Sequence, residues 1–468
     1  MAPGGGLRAA GRRGGGRPIR GGGRVARAGG GARPRRGGGA ASLATAMAEI
    51  QPLRALHYDQ AVVGGLADVV APPYDVIDDS QRAALLERSP NNVVAVDLPK
   101  GDGDVYGQAG ELFETWQRDG VVVRDPEPAL WAHTQEYTGP DGVARTRRGF
   151  FCRVRIEPYG PGRVRPHERT HPGPKEDRLR LTRATQANIS PIFSLYSDPR
   201  QAAWAALEGA TANTPWAEVT DGDGTIHSLW RVADPAAIKA VQAATAEAEL
   251  LIADGHHRYE TMQAYAEERD REGAPGEEHR YILMCLVALE DPGLTIFPTH
   301  RLVSGLDEAR RSSLLLELER DFLIEEVSVD RIAPDPGDGA LQMGYFDDRD
   351  EVPRRLRLKD QQIAERALAS HASPYRELDT GVLEALVLKG ALGLSDDDIS
   401  HFNGMFYARD TEEALAMVRS GAYDAAFLMR PTRVEQVREL AAAGENMPPK
   451  STFFFPKLLT GLLFNPLH

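Results

Sequence analysis

The feature that most constrains the fold is a short apolar run that ends on an aspartate and a glycine. Residues 250–253 are apolar, Asp254 and Gly255 follow, and a helical pattern begins directly afterwards. Apolar residues spaced at the helical period predict an amphipathic helix after this point. We therefore predict a strand, a tight glycine turn and a helix in direct succession. The first backbone N–H groups of such a helix have no partners inside it.

The predicted helix start has the properties of an anion-binding site. The helix dipole places partial positive charge at the N-terminus, and His256, His257 and Arg258 open the helix. Phosphate groups bind helix N-termini of this kind. We predict a phosphate site formed by Asp254, Gly255, His256, His257 and Arg258, with Asp254 as a ligand for Mg²⁺ or as a partner that orients a histidine. An ordinary capped helix is the alternative.

Charge is distributed unevenly along the chain. Residues 1–46 contain ten arginines, sixteen glycines and no acidic residue, a composition that cannot form a core. We predict a disordered leader, and the alternatives are an RNA-binding tail, a transit peptide, or upstream sequence if translation starts at Met47. Removing ten positive charges from the net charge of −13 leaves −23 for the remainder. DNA is therefore not an expected partner, because phosphate neutralisation by Lys and Arg supplies most non-specific affinity.

The cysteine pattern favours a reducing compartment. Cys152 and Cys285 each lie among apolar residues, and no zinc-binding spacing is present. We expect a cytoplasmic protein without structural zinc. The longest apolar run, about nine residues, is too short to span a bilayer, so no membrane association is expected.

Helix and strand patterns alternate with hairpin signals along residues 47–468, which predicts a mixed α/β or α+β fold. We divide this part into an N-terminal α/β segment at 47–160, a core at 161–305 and a C-terminal α/β segment with a closing arm at 306–468. A hairpin is predicted around residues 138–142, and the apolar run at 92–97 is predicted to be a strand.

The segment His167–His171 matches the zinc-protease pattern H-E-x-x-H. That pattern requires a helix, on which histidines four residues apart share a face. Pro166 and Pro172 flank the segment, and no third zinc ligand follows at a suitable distance, so we predict a loop. The loop either bonds to backbone groups or contributes Glu168, together with His167, to a site.

Three further pairs are candidate additions to the site, because each places polar or charged side chains at a strand end or in a proline-rich segment. The pairs are His300 with Arg301, Tyr74 with Asp75, and Lys450 with Ser451. The first pair would supply a second cation for a polyphosphate. For the other two pairs, packing is the alternative explanation.

Six segments together resemble a bacterial family known as domain of unknown function 1015, whose members are sometimes described as ParB-like. The segments are 71–76, 167–170, 188–191, 253–258, 298–301 and 449–457. The strand and the Asp-Gly-His-His-Arg-Tyr turn also resemble the phosphate-binding turn of the ParB/sulfiredoxin superfamily. This resemblance implies a ParB/sulfiredoxin-like, nucleotide-binding core at 161–305.

The superfamily implies three chemistries. Sulfiredoxins carry a cysteine in this turn, where the present chain has His256, so thiol chemistry is not expected. ParB proteins bind CTP and clamp DNA, which the acidic body disfavours. Free serine kinases imply phosphoryl transfer from ATP or ADP with Mg²⁺ to a small hydroxyl metabolite, with Glu168 as base and His167 and His257 completing the catalytic set.

Three hypotheses follow. The first is a serine kinase-like phosphotransferase, the second a nucleotide-binding regulatory module without turnover. The third is a metal-dependent hydrolase built on His167, His171, His256 or His257.

Overall fold

The computed structural model describes residues 49–159, 163–168, 170, 172–337 and 339–468. The predicted leader, Met47 and His171 lie outside the described residues. Strands and helices are mixed within the described part, and most neighbouring strands are antiparallel, which confirms the predicted α+β class. The described residues belong to one compact unit, Ala46–His468. The division into three segments stays a prediction.

The strands of the described residues are, in chain order, β1 (Ile50–Gln51), β2 (Leu56–Tyr58), β3 (Val122–Arg124), β4 (Leu130–Thr138), β5 (Ala144–Arg155), β6 (Val164–Arg165), β7 (Ala187–Asn188), β8 (Ile192–Tyr196), β9 (Ala217–Thr220), β10 (Ile226–Val232), β11 (Leu250–Asp254), β12 (Tyr281–Ala288), β13 (Thr295–Phe297), β14 (His300–Val303), β15 (Phe322–Glu326), β16 (Gln342–Asp347), β17 (Arg354–Leu358), β18 (Met405–Ala408), β19 (Ala425–Leu428), β20 (Phe453–Phe455) and β21 (Asn465–Pro466).

The α-helices are α1 (Gln60–Val63), α2 (Asp79–Arg88), α3 (Val94–Asp97), α4 (Val105–Arg118), α5 (Pro172–Thr185), α6 (Ala202–Ala205), α7 (Glu208–Thr211), α8 (Pro235–Thr245), α9 (His256–Arg271), α10 (Glu308–Asp321), α11 (Gln361–Ala367), α12 (Ser373–Arg376), α13 (Asp379–Val382), α14 (Asp396–Ser400), α15 (Thr411–Arg419) and α16 (Val434–Ala442). A π-helix, Leu383–Ala391, continues α13, and short 3₁₀ helices lie at Tyr74–Val76, Glu278–Arg280 and Val329–Arg331. In the part of the chain that the structure describes, no helix has the length and apolar character needed to cross a bilayer.

The larger sheet carries the strand that leads into the candidate site. Its order is β6-β11-β8-β12-β5-β4-β10-β9, and β1 pairs with β5. β4 and β5 form the predicted hairpin around 138–142. β12 is buried at all eight positions, and Tyr259, Met262 and Tyr265 of α9 pack into the same apolar cluster as this sheet. This packing holds the first turns of α9 against the sheet, directly after β11.

The smaller sheet has the order β15-β17-β16-β19-β14-β18, and its neighbouring strands are antiparallel. One face contributes Met343 and Tyr345 to the same apolar cluster as Leu314 and Leu318 of α10. β14 lies between β19 and β18, so both of its edges are hydrogen-bonded to a neighbouring strand. A strand in this position buries its side chains on both faces.

The C-terminal arm, residues 447–458, closes over the larger sheet. β20 pairs with β13, and the buried guanidinium of Arg147 donates hydrogen bonds to the carbonyl groups of Phe455 and Pro456. The Gln135 amide donates to the Lys457 carbonyl at 3.0 Å. These contacts fix the backbone of the arm from Phe455 to Lys457.

The prediction of a strand at residues 92–97 is wrong. The Asn92 side-chain amide donates to the carbonyl groups of Asp68 and Val70, and its Oδ1 accepts from the Val94 N–H at 3.0 Å. A side chain that bonds the backbone two residues ahead favours a turn over an extended strand. The chain consequently enters the short helix α3.

Candidate functional site

The strand, glycine turn and helix predicted at residues 250–258 are present. β11 ends at Asp254, Gly255 has a φ of 101°, and α9 begins at His256. No side chain caps α9, whereas Asp234 and Asp307 cap α8 and α10. The first backbone N–H groups of α9 therefore lack the usual side-chain acceptor.

Glycine is favoured at position 255 for two reasons. A φ of this sign is unfavourable for residues with a Cβ atom. A Cβ atom at Gly255 would also lie 3.1 Å from Nε of Arg258. The glycine thus permits the guanidinium of Arg258 to fold back against the turn.

A cavity of about 940 Å³ lies at the start of α9. Its walls come from five parts of the chain: 74–75, Glu168 with 173–174, 253–258, 396–402 and 449–457. Of the predicted site residues, those that line it are Tyr74, Asp75, Glu168, Asp254, Gly255, His256, His257, Arg258 and Lys450. The remaining predicted residues, His167, His300, Arg301 and Ser451, are buried.

Asp254 is bound by two cations. Its Oδ1 accepts a hydrogen bond from Lys457 Nζ at 2.6 Å, and its Oδ2 accepts from Arg258 Nη2. Burial alone would raise the pKa of Asp254, but the charges of Lys457 and Arg258 outweigh it and hold this pKa well below the ordinary value. Each carboxylate oxygen already accepts a hydrogen bond from a cation, and the role of Asp254 as a Mg²⁺ ligand stays a prediction. Within the described ranges, no group of three or more His, Cys, Asp or Glu residues is arranged to hold a metal ion.

Arg258 connects the turn to the N-terminal part of the chain. Its Nη1 donates to the Pro191 carbonyl. Burial raises the pKa of the neighbouring Tyr74 hydroxyl to about 12, although the charges of Arg258 and Arg178 oppose this shift. The guanidinium carbon of Arg178 lies 4.1 Å from the centroid of the Tyr74 ring, a cation–π contact. Tyr74 is therefore held at the cavity wall as a neutral phenol.

His167 and His256 form a buried pair of neutral imidazoles. His167 Nδ1 lies 2.7 Å from the Ile252 carbonyl, so this nitrogen carries the proton, and Nε2 accepts from the Thr452 hydroxyl at 2.9 Å. The His167 backbone N–H donates to His256 Nε2 at 3.3 Å. Burial lowers the pKa of both rings. Both nitrogens of His167 are thereby engaged by the protein.

Glu168 and His257 lie on the cavity surface, in contrast to this buried pair. Each is partly exposed and lines the cavity. None of the described residues donates a hydrogen bond to the Glu168 carboxylate. The carboxylate can therefore accept a hydrogen bond from a molecule in the cavity.

The predicted pair Lys450 and Ser451 is divided between cavity and core. Lys450 is exposed at a φ of 55° and lines the cavity. Ser451 is buried, and its hydroxyl donates to the Pro448 carbonyl at 2.7 Å. Only Lys450 is placed to contact a ligand.

His300 and Arg301 lie in β14 rather than at the cavity. His300 Nδ1 accepts from the Met429 N–H at 3.1 Å, and Nε2 lies 3.1 Å from the Thr411 hydroxyl. Arg301 donates to the carbonyl groups of Pro449 and Lys450 at 3.1 and 3.3 Å. Burial lowers the pKa of both side chains. Arg301 consequently supports the segment that presents Lys450.

Sequence reasoning missed the wall formed by residues 396–402. This wall includes Asp396, Asp397, His401 and Phe402. Phe402 has a φ of 59° and is 49% exposed. The serine and acidic residues at 395–398 give a helix-capping signal, but no sequence signal connects that helix to the turn at 254–258.

The fold and this cavity define an α+β protein with a cavity at the start of a glycine-initiated helix. The model of the family described as "Protein of unknown function (DUF1015)" matches residues 50–381, and the chain belongs to that family. The cavity walls at 396–402 and 449–457 lie beyond the matched residues. No curated protein matches the sequence.

Several solved structures are similar to this chain at low identity. A conserved hypothetical protein from Pyrococcus furiosus is 15% identical, with a TM-score of 0.33 over 64% of this chain and 92% of that chain. A free serine kinase in complex with AMP is 14% identical, with a TM-score of 0.33 over 64% of this chain and 89% of that chain. A mutant of a free serine kinase in complex with ADP gives the same identity, coverage and TM-score. At TM-scores below 0.5 these likenesses support no conclusion about the function of this chain.

Proposed function

We propose that this protein transfers a phosphoryl group from a nucleotide to the hydroxyl group of a small metabolite. The observation that carries the proposal is that Glu168 and the first turn of α9 line one cavity of about 940 Å³. Phosphate bound at the helix start would share that space with a carboxylate that can accept a proton. The motif resemblance to the ParB/sulfiredoxin superfamily, and to free serine kinases within it, implies the same chemistry.

The charges at the turn favour a phosphate ligand. Asp254 carries one negative charge against the two positive charges of Lys457 and Arg258, so the cluster keeps one net positive charge. Lys450 adds a further cation at the cavity wall, and the N-terminus of α9 adds partial positive charge. Together with His257, these groups would bind the nucleotide phosphates.

The proposed reaction is an in-line displacement at phosphorus. The acceptor oxygen forms a bond to the terminal phosphorus, and the bond from that phosphorus to the bridging oxygen breaks. The bridging oxygen leaves with the electron pair, and Glu168 takes the acceptor proton. A general base contributes roughly 10²–10⁴ in rate, and positioning and charge neutralisation supply much of the remainder.

ATP or ADP is the proposed phosphoryl donor, and Mg²⁺ commonly neutralises such phosphates. Asp254 has both oxygens engaged by Lys457 and Arg258, so none of the steps above depends on a metal ion held by that carboxylate. We assign His167 a positioning role, because its ring joins Ile252 in β11 to Thr452 in the C-terminal arm. Glu168 follows it directly in the chain and is placed by the same contacts.

A nucleotide-binding regulatory module without turnover is the second candidate. It is favoured by the pairing of Arg258 and Lys457 with Asp254, because cations already paired in the protein are less available to neutralise a transition state. Such a module would bind a nucleotide saturably and release it unchanged.

A nucleotide screen distinguishes the two candidates. Thermal shifts with ATP, ADP, CTP and GTP, with and without Mg²⁺, identify the nucleotide, and mass spectrometry with serine and other hydroxyl compounds then detects a phosphorylated product. Glu168→Gln is expected to lower turnover at least a hundredfold while the nucleotide Kd changes less than threefold. Glu176→Gln, on the exposed face of α5, is the matched control. Unchanged turnover in Glu168→Gln contradicts the proposed base, and saturable binding without any product favours the regulatory module.

A further inference from the structure

The smaller sheet ends at β15, whose outer edge has no neighbouring strand among the described residues. β15 pairs with β17 on its inner side. Its last four residues, 323–326, are all exposed. The outward backbone N–H and C=O groups of such an edge are available to a further strand.

Apolar side chains surround this open edge. Leu316 is 67% exposed, Leu323 55%, Leu315 41% and Ile324 39%. All four belong to α10 and β15, which follow each other without a loop. A groove of about 560 Å³ passes over this region and is lined in part by Leu315, Leu323 and Ile324. Apolar surface concentrated in this way is typical of an interaction site.

β9, an end strand of the larger sheet, exposes polar side chains where β15 exposes apolar ones. The exposed residues of β9 are Glu218 and Thr220, and its apolar residues are buried. Charged or polar side chains on an edge strand discourage pairing with another chain. β15 has this protection at Glu325 and Glu326 but lacks it at 323–324.

We propose that a second copy of this chain covers the edge, so that two β15 strands pair in antiparallel orientation and the two sheets become one. A two-fold axis at Ile324 sets the register. Ile324 then faces the partner's Ile324, Leu323 faces the partner's Glu325, and Phe322 faces the partner's Glu326. An isologous contact of this kind closes at two copies, and strand addition at a sheet edge is a common mode of association.

The charges along the strand select this register. With the axis at Ile324, no two carboxylates face each other. A shift of two residues places Glu325 opposite either the partner's Glu325 or the partner's Asp321, and like charges directly opposite are destabilising. A register that differs by an even number of residues keeps the same faces of the two sheets together. Helix α10 of each copy, with Leu315 and Leu316, then lies on the same side of the combined sheet.

Charge complementarity supports a second copy as the occupant. Arg357 of β17 is paired with Leu323, is exposed, and among the described residues has no ion pair. The partner's Glu325 would face Leu323 on this same sheet face. It would lie two strand spacings from Arg357, about 10 Å by backbone position, which is within reach of two long side chains.

The mass of the full chain in solution tests the proposal. Light scattering after size-exclusion chromatography and sedimentation velocity over a range of concentrations are expected to show a dimer. Ile324→Lys places two ammonium groups at the two-fold axis and is expected to raise the dimer Kd at least tenfold. Val143→Lys, at an apolar residue that is 49% exposed in the β4–β5 hairpin, is the matched control and should leave the dimer unchanged. Leu315→Lys, at a residue that lines the same groove as Ile324, gives the same readout if Ile324→Lys does not fold.

Cysteine cross-linking tests the register. The two native cysteines are buried, so an introduced thiol is the reactive one. Ile324→Cys is expected to form a covalent dimer on mild oxidation, because opposed Cα atoms lie within disulfide range. Glu326→Cys should not, because the two copies of residue 326 are offset by four residues, about 13 Å along the strand. A monomeric wild-type chain, a dimer unaffected by Ile324→Lys, or cross-linking through residue 326 in place of 324 would overturn the proposal.

Discussion

Lys457 Nζ lies 2.6 Å from Asp254 Oδ1, although 203 positions separate the two residues in the chain. This ion pair joins the C-terminal arm to the turn that opens α9. Because Arg258 occupies the other oxygen of the same carboxylate, the arm, the turn and the first turn of the helix share one charge cluster. Changes at either end of the pair should therefore affect both stability and the proposed phosphate site.

Lys457→Met is expected to weaken nucleotide binding at least tenfold, because the cluster loses its net positive charge. The substitution also leaves Asp254 Oδ1 without its donor, and hydrogen bonds to charged groups contribute about 1.5–3 kcal/mol. Isothermal titration and urea unfolding measure the two effects. Lys100→Met removes an exposed pair with Asp79, and it should change neither quantity by more than the small amounts typical of surface pairs. Equal effects of the two variants on nucleotide affinity would rule out a role for Lys457 at the site.

Gly255→Ala separates backbone strain from site geometry. The alanine is expected to cost about 1–2 kcal/mol in stability, because residue 255 adopts a positive φ. Its Cβ would also displace the Arg258 guanidinium and so lower nucleotide affinity. Gly273→Ala, at the other end of α9, has a positive φ with open space around the added Cβ. It should show a similar loss of stability with normal nucleotide binding, and a loss of binding there would contradict the local explanation for Gly255.

The part of the site nearest the turn could be predicted from sequence because its signals are local. A strand end, a glycine that permits a positive φ and the sequence His-His-Arg at 256–258 specify the geometry within ten positions. His300 and Arg301 have an equally cationic pattern but a different environment. β14 lies between β18 and β19, and partners such as the Met429 N–H bury this pair away from the cavity. Sequence alone does not distinguish a solvated cation from a buried one.

Long-range contacts explain the remaining differences between prediction and structure. Residues 396–402 reach the cavity only through the packing of the C-terminal segment, and no motif near them indicates a site. The run at 92–97 is rich in valine, a pattern that predicts a strand, yet three hydrogen bonds of the Asn92 side chain stabilise a turn and a short helix. Two of these bonds reach residues 68 and 70, which lie far from position 92 in the chain.

Phe402→Ala is expected to weaken nucleotide binding by removing a contact with the nucleobase, without affecting the binding of the phosphates. Phe402 lies in the left-handed region at a φ of 59°, is 49% exposed and lines the cavity. Strained residues of this kind concentrate at ligand sites, and base–aromatic stacking contributes about 1–3 kcal/mol per base. The Kd of ADP should rise about tenfold while that of pyrophosphate stays constant. Val329→Ala, at a residue that is 45% exposed and does not line the cavity, is the control, and an equal change for ADP and pyrophosphate would argue against stacking on Phe402.

Acid should destabilise the protein through its buried histidines, and His300 provides the clearest test. Burial and the charge of Arg301 lower the pKa of His300 from 6.5 to about 4. The unfolded chain binds a proton at pH values where folded His300 is neutral, so the free energy of unfolding falls as the pH decreases from 6.5 to 4. At about 1.4 kcal/mol per pKa unit, this group accounts for up to about 3 kcal/mol of the loss.

His300→Gln keeps a side-chain donor and an acceptor but removes the titrating group. Its loss of stability between pH 6.5 and 4, measured by urea unfolding at several pH values, should be smaller than that of the wild type by up to about 3 kcal/mol. Burial also lowers the pKa of His133 and His227, so a residual acid dependence is expected in the variant. His401→Gln, at a histidine whose side chain is 66% exposed, should retain the wild-type slope. If His300→Gln and the wild type lost stability in parallel over this pH range, His300 would not be the buried neutral imidazole that its contacts with Met429 and Thr411 indicate.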